Sequence, residues 1–341
     1  MSEKESKNPC RVSIIIKALN EERHIDTAVG SAVEAVAAVG GEVVLADSCS
    51  TDRTVALASR HPIRIVQLAN AQERCCGIGP QLGFQHSRGE YVYILDGDMQ
   101  MLEGFLPAAL AFMQAHPDAA GVGGQVVEMN THSLEYVSRM ERSAGHMQAG
   151  AVDRLDMGGL YRRAAVEQVG YLSDRNLHSY EEFDLAVRLR SQGWKLHRIA
   201  VDAVRHHGHD APPYALLARR WRTAYICGLG ELLRSAWGKP QMGLIVAEMR
   251  ELKLYLAMLV WWLVALSVWV WPVAMAVKAL IFTGMLAAPF IAMTLKKKSL
   301  AKGVFSVVSW GFNVAGLVRG LAMRRKPAQA PVASVLLWDK A

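Results

Sequence analysis

The chain has 341 residues, 52% of them hydrophobic and 20% charged, which excludes a disordered tail or a collagen-like repeat and leaves ample material for a core. Its net charge of +7 is not spread evenly: residues 296–341 hold nine Lys/Arg against one acidic residue, so residues 1–295 sum to −1. A basic block of that kind argues against a nucleic-acid groove, and no nucleic acid is expected as a partner. The five cysteines, Cys10, Cys49, Cys75, Cys76 and Cys227, are odd in number without metal-ligand spacing and suit a reducing compartment.

Residues 1–10 read as a polar tail without the apolar stretch of a signal peptide. Val12-Ser-Ile-Ile-Ile16 is a short β-branched run that predicts a buried strand, followed by a loop at Asn20-Glu21-Glu22 and a helix to Val39. A second strand over Glu42–Ala46 ends at Asp47-Ser48-Cys49-Ser50-Thr51-Asp52, small polar residues that suit a loop and helix cap. A strand near 63–67, a helical region over 71–87 and a strand at 90–95 continue the alternation. That order predicts an α/β domain over 11–212 with a mostly parallel sheet and helices on both faces. Ligands of such sheets bind beyond the carboxyl ends of the strands, where Asp47 and Asp96-Gly97-Asp98 fall.

Residues 213–252 read as amphipathic helices for a membrane surface. Arg219, Arg220 and Arg222 around Trp221 suit anionic lipid or the phosphate of an acceptor, with a solvated charged face as the plainer alternative. From Leu254 to Leu295 the only charge is Lys278, long enough for a membrane hairpin with helices at about 254–273 and 277–295. A third apolar segment, 302–323, spans or lies in the interface, closing a membrane region of 253–326. Residues 327–341 read as a C-terminal tail. Lys296-Lys297-Lys298 and Arg324-Arg325-Lys326 flank these segments, which places residues 1–250 in the cytosol.

Ser13-Ile-Ile-Ile-Lys-Ala-Leu-Asn-Glu-Glu22, Ala46-Asp-Ser-Cys-Ser-Thr-Asp-Arg-Thr54 and Tyr91-Val-Tyr-Ile-Leu-Asp-Gly-Asp98 resemble family 2 glycosyltransferases of the GT-A fold. Gly158-Gly-Leu-Tyr-Arg-Arg163, followed by the run from Tyr180-Glu-Glu-Phe-Asp184 to Gly193, fits the same pattern, so the match covers about 11–210. The resemblance implies a nucleotide-sugar donor, a lipid-linked acceptor and Mg²⁺ or Mn²⁺, hard cations that an Asp-x-Asp turn can hold on a diphosphate. It implies that Asp98 binds the metal, with Asp96 near the metal or ribose. Asp47 would accept from the nucleobase, with Ala18, Asn20 and Glu22 lining the donor pocket and Arg163 also on the donor. Glu182 stands where the family's base does, with Glu181 and Asp184 beside it; the same acidic residues also suit a helix N-terminus. His206 or His207 would complete the metal shell or meet the diphosphate, the alternative for this tract being a surface loop.

The sequence departs from the pattern in several places. The acidic pair ends in Glu182 where Asp is usual. Gly79-Pro80-Gln81 stands where the family often has Ala-Arg-Asn, leaving Arg74 or Arg88 as substitutes for a phosphate-contacting arginine. Leu217 replaces the Gln of the Gln-x-x-Arg-Trp found in processive synthases, so one sugar per encounter is expected. The expected activity is inverting transfer from a UDP-sugar to a hydroxyl in surface polysaccharide or glycolipid synthesis. Polyprenyl-phosphate glycosyl transfer, nucleotidyl transfer and a non-catalytic nucleotide-binding scaffold are the rivals, and a homo-oligomer is compatible with each.

Overall fold

The computed structural model describes residues 10–131, 145–208 and 212–341, which divide into two compact units. The first comprises 1–210 together with 325–341, and the second 211–324.

Unit one is built on strands β1 (Val12–Ala18), β2 (Gly41–Asp47), β3 (Arg64–Leu68), β4 (Tyr91–Asp96), β5 (Met99–Met101), β6 (Ala119–Glu128), β7 (Gly150–Val152), β8 (Gly159–Arg162), β9 (Lys195–His206) and β10 (Ser334–Asp339). Its helices are α1 (Ile25–Val39), α2 (Thr54–Ala58), α3 (Ile78–Gln85), α4 (Phe105–Ala115), α5 (Arg163–Gln168) and α6 (Glu181–Ser191). Ile14 and Ile16 of β1 face α1 and α4, while Ile15 faces α3 and α6, the period-two alternation of a strand buried on both sides. α1 supplies its side of the core from Ile25, Ala28, Val29, Ala32 and Val36, one stripe at helical spacing, and stops at Gly40, whose φ of 80° favours glycine.

The sheet order is β10-β3-β2-β1-β4-β8-β6-β9-β5, with β7 also paired to β9. β3, β2, β1 and β4 run parallel, as expected for strands joined by helical crossovers. Beyond β4 the sheet becomes mixed: β8 is antiparallel to β4 and β6, and β6 is parallel to β9. The strand order reverses direction between β1 and β4, which creates the crevice where sheets of this kind take ligands.

Residues 327–341 do not form a free tail, because β10 pairs antiparallel with β3 and completes the sheet edge. Val332 is 2% exposed in the core, and Arg175 donates to the carbonyls of Ala330 and Pro331 at 2.9 and 2.7 Å. An α/β pattern read from the first 210 residues has no reason to anticipate a last strand supplied 124 residues later (334 − 210).

Unit two is helical: α7 (Pro213–Arg222), α8 (Gly228–Ala236), α9 (Met242–Glu248), α10 (Arg250–Ser267), α11 (Met275–Lys297) and α12 (Leu300–Ala322). Three segments, Arg250–Val270, Met275–Lys297 and Leu300–Ala322, are long and apolar enough to cross a membrane. α11 and α12 are joined by a two-residue reversal in which Lys298 has φ 50° and Ser299 caps α12. α8 meets α12 backbone to backbone: a Cβ at Gly230 would stand 2.1 Å from the carbonyl oxygen of Leu317, so a larger residue would part the helices.

Candidate active site

The strand register assembles the site. Ala18 lies opposite Asp47, and Lys17 opposite Asp96, so the carboxyl ends of β1, β2 and β4 stand side by side at the reversal point. Gly97 allows the turn after β4 to approach the β1 loop, since a Cβ there would be 2.9 Å from Glu21 Cγ. Lys17 Nζ lies 3.1 Å from Asp96 and 3.3 Å from Glu181 at the start of α6. Burial alone would lower its pKa, but Asp96, Glu181 and Glu182 outweigh that and hold the ammonium well above the ordinary lysine value. Lys17 is thus a fixed cation in the crevice, within the β1 motif but not singled out by it.

On the β2 side, Asp47 is fully buried and its Oδ2 accepts from Ser50 N at 3.0 Å and Gln67 Nε2 at 2.8 Å. Its Oδ1 is buried with no hydrogen-bond partner among the described residues. Such an atom costs about 1–3 kcal/mol unless a donor meets it, and a nucleobase N–H is a donor of the right kind. Asn20 braces the neighbouring loop by accepting from Thr51 N at 2.7 Å, while Glu22 N donates to Asp52 Oδ2 at 3.1 Å. A cavity of about 240 Å³ opens among Asn20, Glu21, Glu22, Arg23, His24 and Asp52.

On the following turn, Asp98 is 8% exposed and its Oδ2 faces His206 Nε2 at 3.4 Å. His206 Nδ1 meets Glu128 Oε1 at 2.7 Å, a contact that follows from the Glu128–His206 pairing of β6 and β9. Burial would lower the His206 pKa, yet the carboxylates of Asp98 and Glu128 outweigh it and raise it to about 9. Glu128 orients the ring so that Nε2 points at Asp98, the arrangement that prepares a histidine for a metal. Asp98 Oδ2 is the hard oxygen donor that Mg²⁺ or Mn²⁺ prefers, and His206 Nε2, 3.4 Å from it, could join it on giving up its proton. His207 is elsewhere: its ring stacks on His24 at 4.5 Å, and its backbone N–H donates to the Asp98 carbonyl. Glu128 was not legible in advance, because its only signal is a strand register that one sequence does not reveal.

Glu182 completes the crevice. It sits in the first turn of α6, entered through Tyr180 at φ 67°, and its Oε2 accepts from Met157 N at 3.3 Å. Burial first, then the charges of Asp156, Glu181 and Asp96, push its carboxyl up to about 8, with Lys17 opposing. A carboxyl poised near neutrality is suited to take a proton from a hydroxyl.

Residues 13–170 match the family described as glycosyl transferase family 2. A family 2 glycosyltransferase domain therefore covers residues 13–170. The chain is 28% identical over 169 residues to "Probable glucomannan 4-beta-mannosyltransferase 7" of Oryza sativa subsp. japonica, covering 47% of this chain and 27% of that protein. It is 30% identical over 116 residues to "Glucomannan 4-beta-mannosyltransferase 2" of Arabidopsis thaliana, covering 31% and 21%. The chain therefore spans about a quarter of the length of these relatives. Among solved structures, the mannosyltransferase PcManGT from Pyrobaculum calidifontis, in complex with GDP-Man and Mn²⁺, aligns at TM-score 0.59 and 19% identity over 93% of this chain and 90% of that one. S. aureus TarS 1–349 in complex with UDP-GlcNAc aligns at TM-score 0.52 and 16% identity over 91% and 90%. Both share the GT-A fold.

Two residues expected in the glycosyltransferase site lie outside it. Arg163 follows β8, which runs antiparallel to β4, so it arrives at the opposite end of the sheet from Asp96. There it donates to Gly89 O at 2.5 Å and Ser87 Oγ at 2.8 Å, too occupied and too distant in register to meet a donor. Arg163→Met is expected to leave nucleotide affinity within twofold of wild type while lowering stability by about 1–3 kcal/mol, read by calorimetric titration and melting. Asp184 is fully buried and bonded to Arg188 Nε at 2.8 Å. Two positions beyond Glu182, it points across the helix into the domain rather than into the crevice.

The two arginines named as substitutes lie at opposite ends of β2. Arg74 donates to the carbonyls of Ser48 and Cys49, bracing the loop after β2. Arg88 pairs with Glu42 at the start of β2, the far end from Asp47. Gly79 has a different use: a Cβ there would lie 3.1 Å from Lys17 Cβ, so the glycine leaves space for the lysine.

Proposed function

We propose that this protein transfers a sugar, with inversion, from a nucleoside diphosphate sugar to a hydroxyl of a lipid-linked acceptor in surface polysaccharide or glycolipid synthesis. The observation that carries this reading is the register that sets Asp47, Asp96 and Lys17 side by side, with Asp98 and His206 on the next turn. Asp47 Oδ1 accepts from the base, and the loop of Ala18, Asn20 and Glu22 holds the nucleoside. Asp98 and His206, with Asp96 beside them, would hold Mg²⁺ or Mn²⁺, which supplies neutralising charge to the departing diphosphate. Lys17 adds a protein cation in the same crevice. Glu182 accepts the acceptor hydroxyl's proton as the oxygen attacks the anomeric carbon from the face opposite the diphosphate. The new carbon–oxygen bond forms as the bond to the diphosphate breaks, which inverts that centre.

The donor is read first as a UDP-sugar. The mannosyltransferase relatives, and the GDP-Man held by PcManGT, favour a GDP-sugar as the second reading.

Connectivity supports the membrane part. The chain leaves unit one at 210 and rejoins it at 325, so any bilayer crossings between those residues are even in number. A crossing hairpin of α10 and α11, with α12 in the interface, satisfies this and keeps Lys296–Lys298 on the side of the catalytic unit. On this reading unit one lies at the cytosolic face of the inner membrane.

The test is a thermal-shift panel on detergent-purified protein with UDP, GDP, CDP and dTDP and the matching triphosphates, each with and without Mn²⁺. One diphosphate at 100 times its Kd is expected to stabilise wild type by about 2.7 kcal/mol with Mn²⁺, and Asp98→Ala is expected to lose the metal-dependent part. A shift with triphosphates alone would point instead to nucleotidyl transfer.

A further inference from the structure

β9 carries a buried cation, Arg198, which is only 2% exposed. The sheet makes room for it: Arg198 pairs with Gly123 of β6, where a Cβ would stand 3.3 Å from its guanidinium. Burying a guanidinium is costly unless its donors are met, so its partners are informative. Nη1 donates to the Gly124 carbonyl, and Nη2 to the Asp156 carbonyl at 3.0 Å.

The second of these bonds leads to Glu182. The carbonyl of Asp156 and the N–H of Met157 belong to one peptide unit, which is planar and moves as a body. Arg198 holds its oxygen end, and its N–H end donates to Glu182 Oε2 at 3.3 Å. This backbone needs holding: Met157 has φ 65° and Gly158 φ 98°, and an L side chain such as that of Met157 rarely adopts such a value. A cation on the carbonyl also polarises the unit, which strengthens its N–H as a donor. One peptide between β7 and β8 is thus tied on one side to β9 and on the other to the first turn of α6.

We propose that Arg198 is a positioning residue for Glu182, fixing the Asp156–Met157 peptide so that its N–H stays on the carboxylate. The inference deepens the transfer reading and rests on it only for the role of Glu182 as base. A base that must meet an incoming hydroxyl gains from a fixed orientation, because a small misplacement costs rate. Arg198 acts through the peptide alone.

The experiment uses the full chain in detergent, with Arg198→Met, Arg198→Gln as the second neutral variant, and the conservative Arg198→Lys. Each is melted beside its own double with Glu182→Gln, from about pH 5 to 9.5. In the wild-type background the Glu182→Gln chain is expected to melt higher by a margin that widens up to about pH 8. An N–H on a carboxylate favours its charged form, so losing that donor raises the folded pKa and carries the widening further. The margin is expected to widen about one pH unit further in both neutral variants, and less than half as far in Arg198→Lys. Lys17, Tyr93, Asp96, Asp156, Tyr161 and Glu181 also bear on this carboxyl and are the same in every variant. Hydrogen exchange reads the peptide directly: the Met157 amide is expected to exchange about tenfold faster in Arg198→Met than in wild type. An unmoved margin in both neutral variants would overturn the proposal. So would a moved margin with the Met157 amide still protected, which would make Arg198 a distant charge. Diphosphate release from UDP-GlcNAc and GDP-Man with Mn²⁺ separates this inference from the reading beneath it. Arg198→Met is expected to lower kcat about tenfold with KM within about twofold, and to change kcat less than about twofold once Glu182→Gln is present. Rates indifferent to Glu182→Gln would count against Glu182 as base, while the melting and exchange results alone decide the positioning.

Discussion

Glu182→Gln is expected to lower kcat by about 10²–10⁴-fold, the usual contribution of a positioned base, while leaving nucleotide affinity unchanged. Gln keeps the size and the acceptor oxygen for Met157 N but cannot take a proton. The pH profile carries the same information. With the Glu182 carboxyl pushed up to about 8, the ionised fraction grows with pH, so wild-type kcat/KM is expected to rise through that value and then level, and the variant's residual rate to lose the rise. Stability moves the other way. The folded pKa lies above the ordinary 4.5, so between those values the folded chain holds a proton that the unfolded chain has released, and stability falls as pH rises through the window. Glu182→Gln removes that penalty and is expected to melt higher than wild type, by a margin that widens from pH 4.5 to 8. A phosphate acceptor needs no strong base, so a kcat loss under tenfold with a flat profile would assign the acceptor as a polyprenyl phosphate itself.

Much of this site was legible because strands end where their apolar runs end. Val12–Ile16 is apolar apart from Ser13, Tyr91–Leu95 is apolar throughout, and the first polar residues after them, Lys17 and Asp96, face each other across the crevice. The same logic located Asp47 and Asp98, and the first turn of α6 located Glu182. What failed depended on direction and register. Arg163 lies one residue beyond an antiparallel strand, and nothing in Gly-Leu-Tyr-Arg says which way that strand runs. Asp184 stood in an acidic cluster whose members look alike in one dimension, yet the helix turns Glu182 and Asp184 to different surroundings. Glu128 and the return of β10 depend on partners 78 residues and more than 260 residues away in sequence, respectively (206 − 128; 334 − 68 = 266), distances over which local pattern carries no information.

The returning segment gives the largest expected stability effect. Arg324-Arg325-Lys326 reads as a basic flank, but the structure gives two of these residues partners within unit one. Asp174 is fully buried; its Oδ1 accepts from Asn176 N at 3.0 Å and Nδ2 at 2.7 Å, and its Oδ2 is met by Arg325. Arg325→Ala leaves that carboxylate buried with its Asn176 bonds but without the cation. Breaking a buried pair in this way costs about 3–5 kcal/mol, and the surviving Asn176 bonds place the expectation at the lower end. Lys326 pairs with Glu73 at 2.8 Å but is 58% exposed, so Lys326→Ala is expected to cost under about 1 kcal/mol. Salt separates them further, because an exposed pair is screened and a buried one hardly so. Denaturant melts at 0.05 and 0.5 M NaCl are therefore expected to show a large, salt-independent loss for Arg325→Ala and a small, salt-sensitive one for Lys326→Ala. The loss at Arg325 matters beyond stability, because residues 325–341 carry β10. A loosened strand would bare the edge of β3 and its unpaired backbone groups, a template for association between chains. Arg325→Ala is thus also expected to aggregate below its melting temperature, and equal, salt-sensitive losses for both variants would show that the segment is held as a surface charge patch rather than as part of the catalytic sheet.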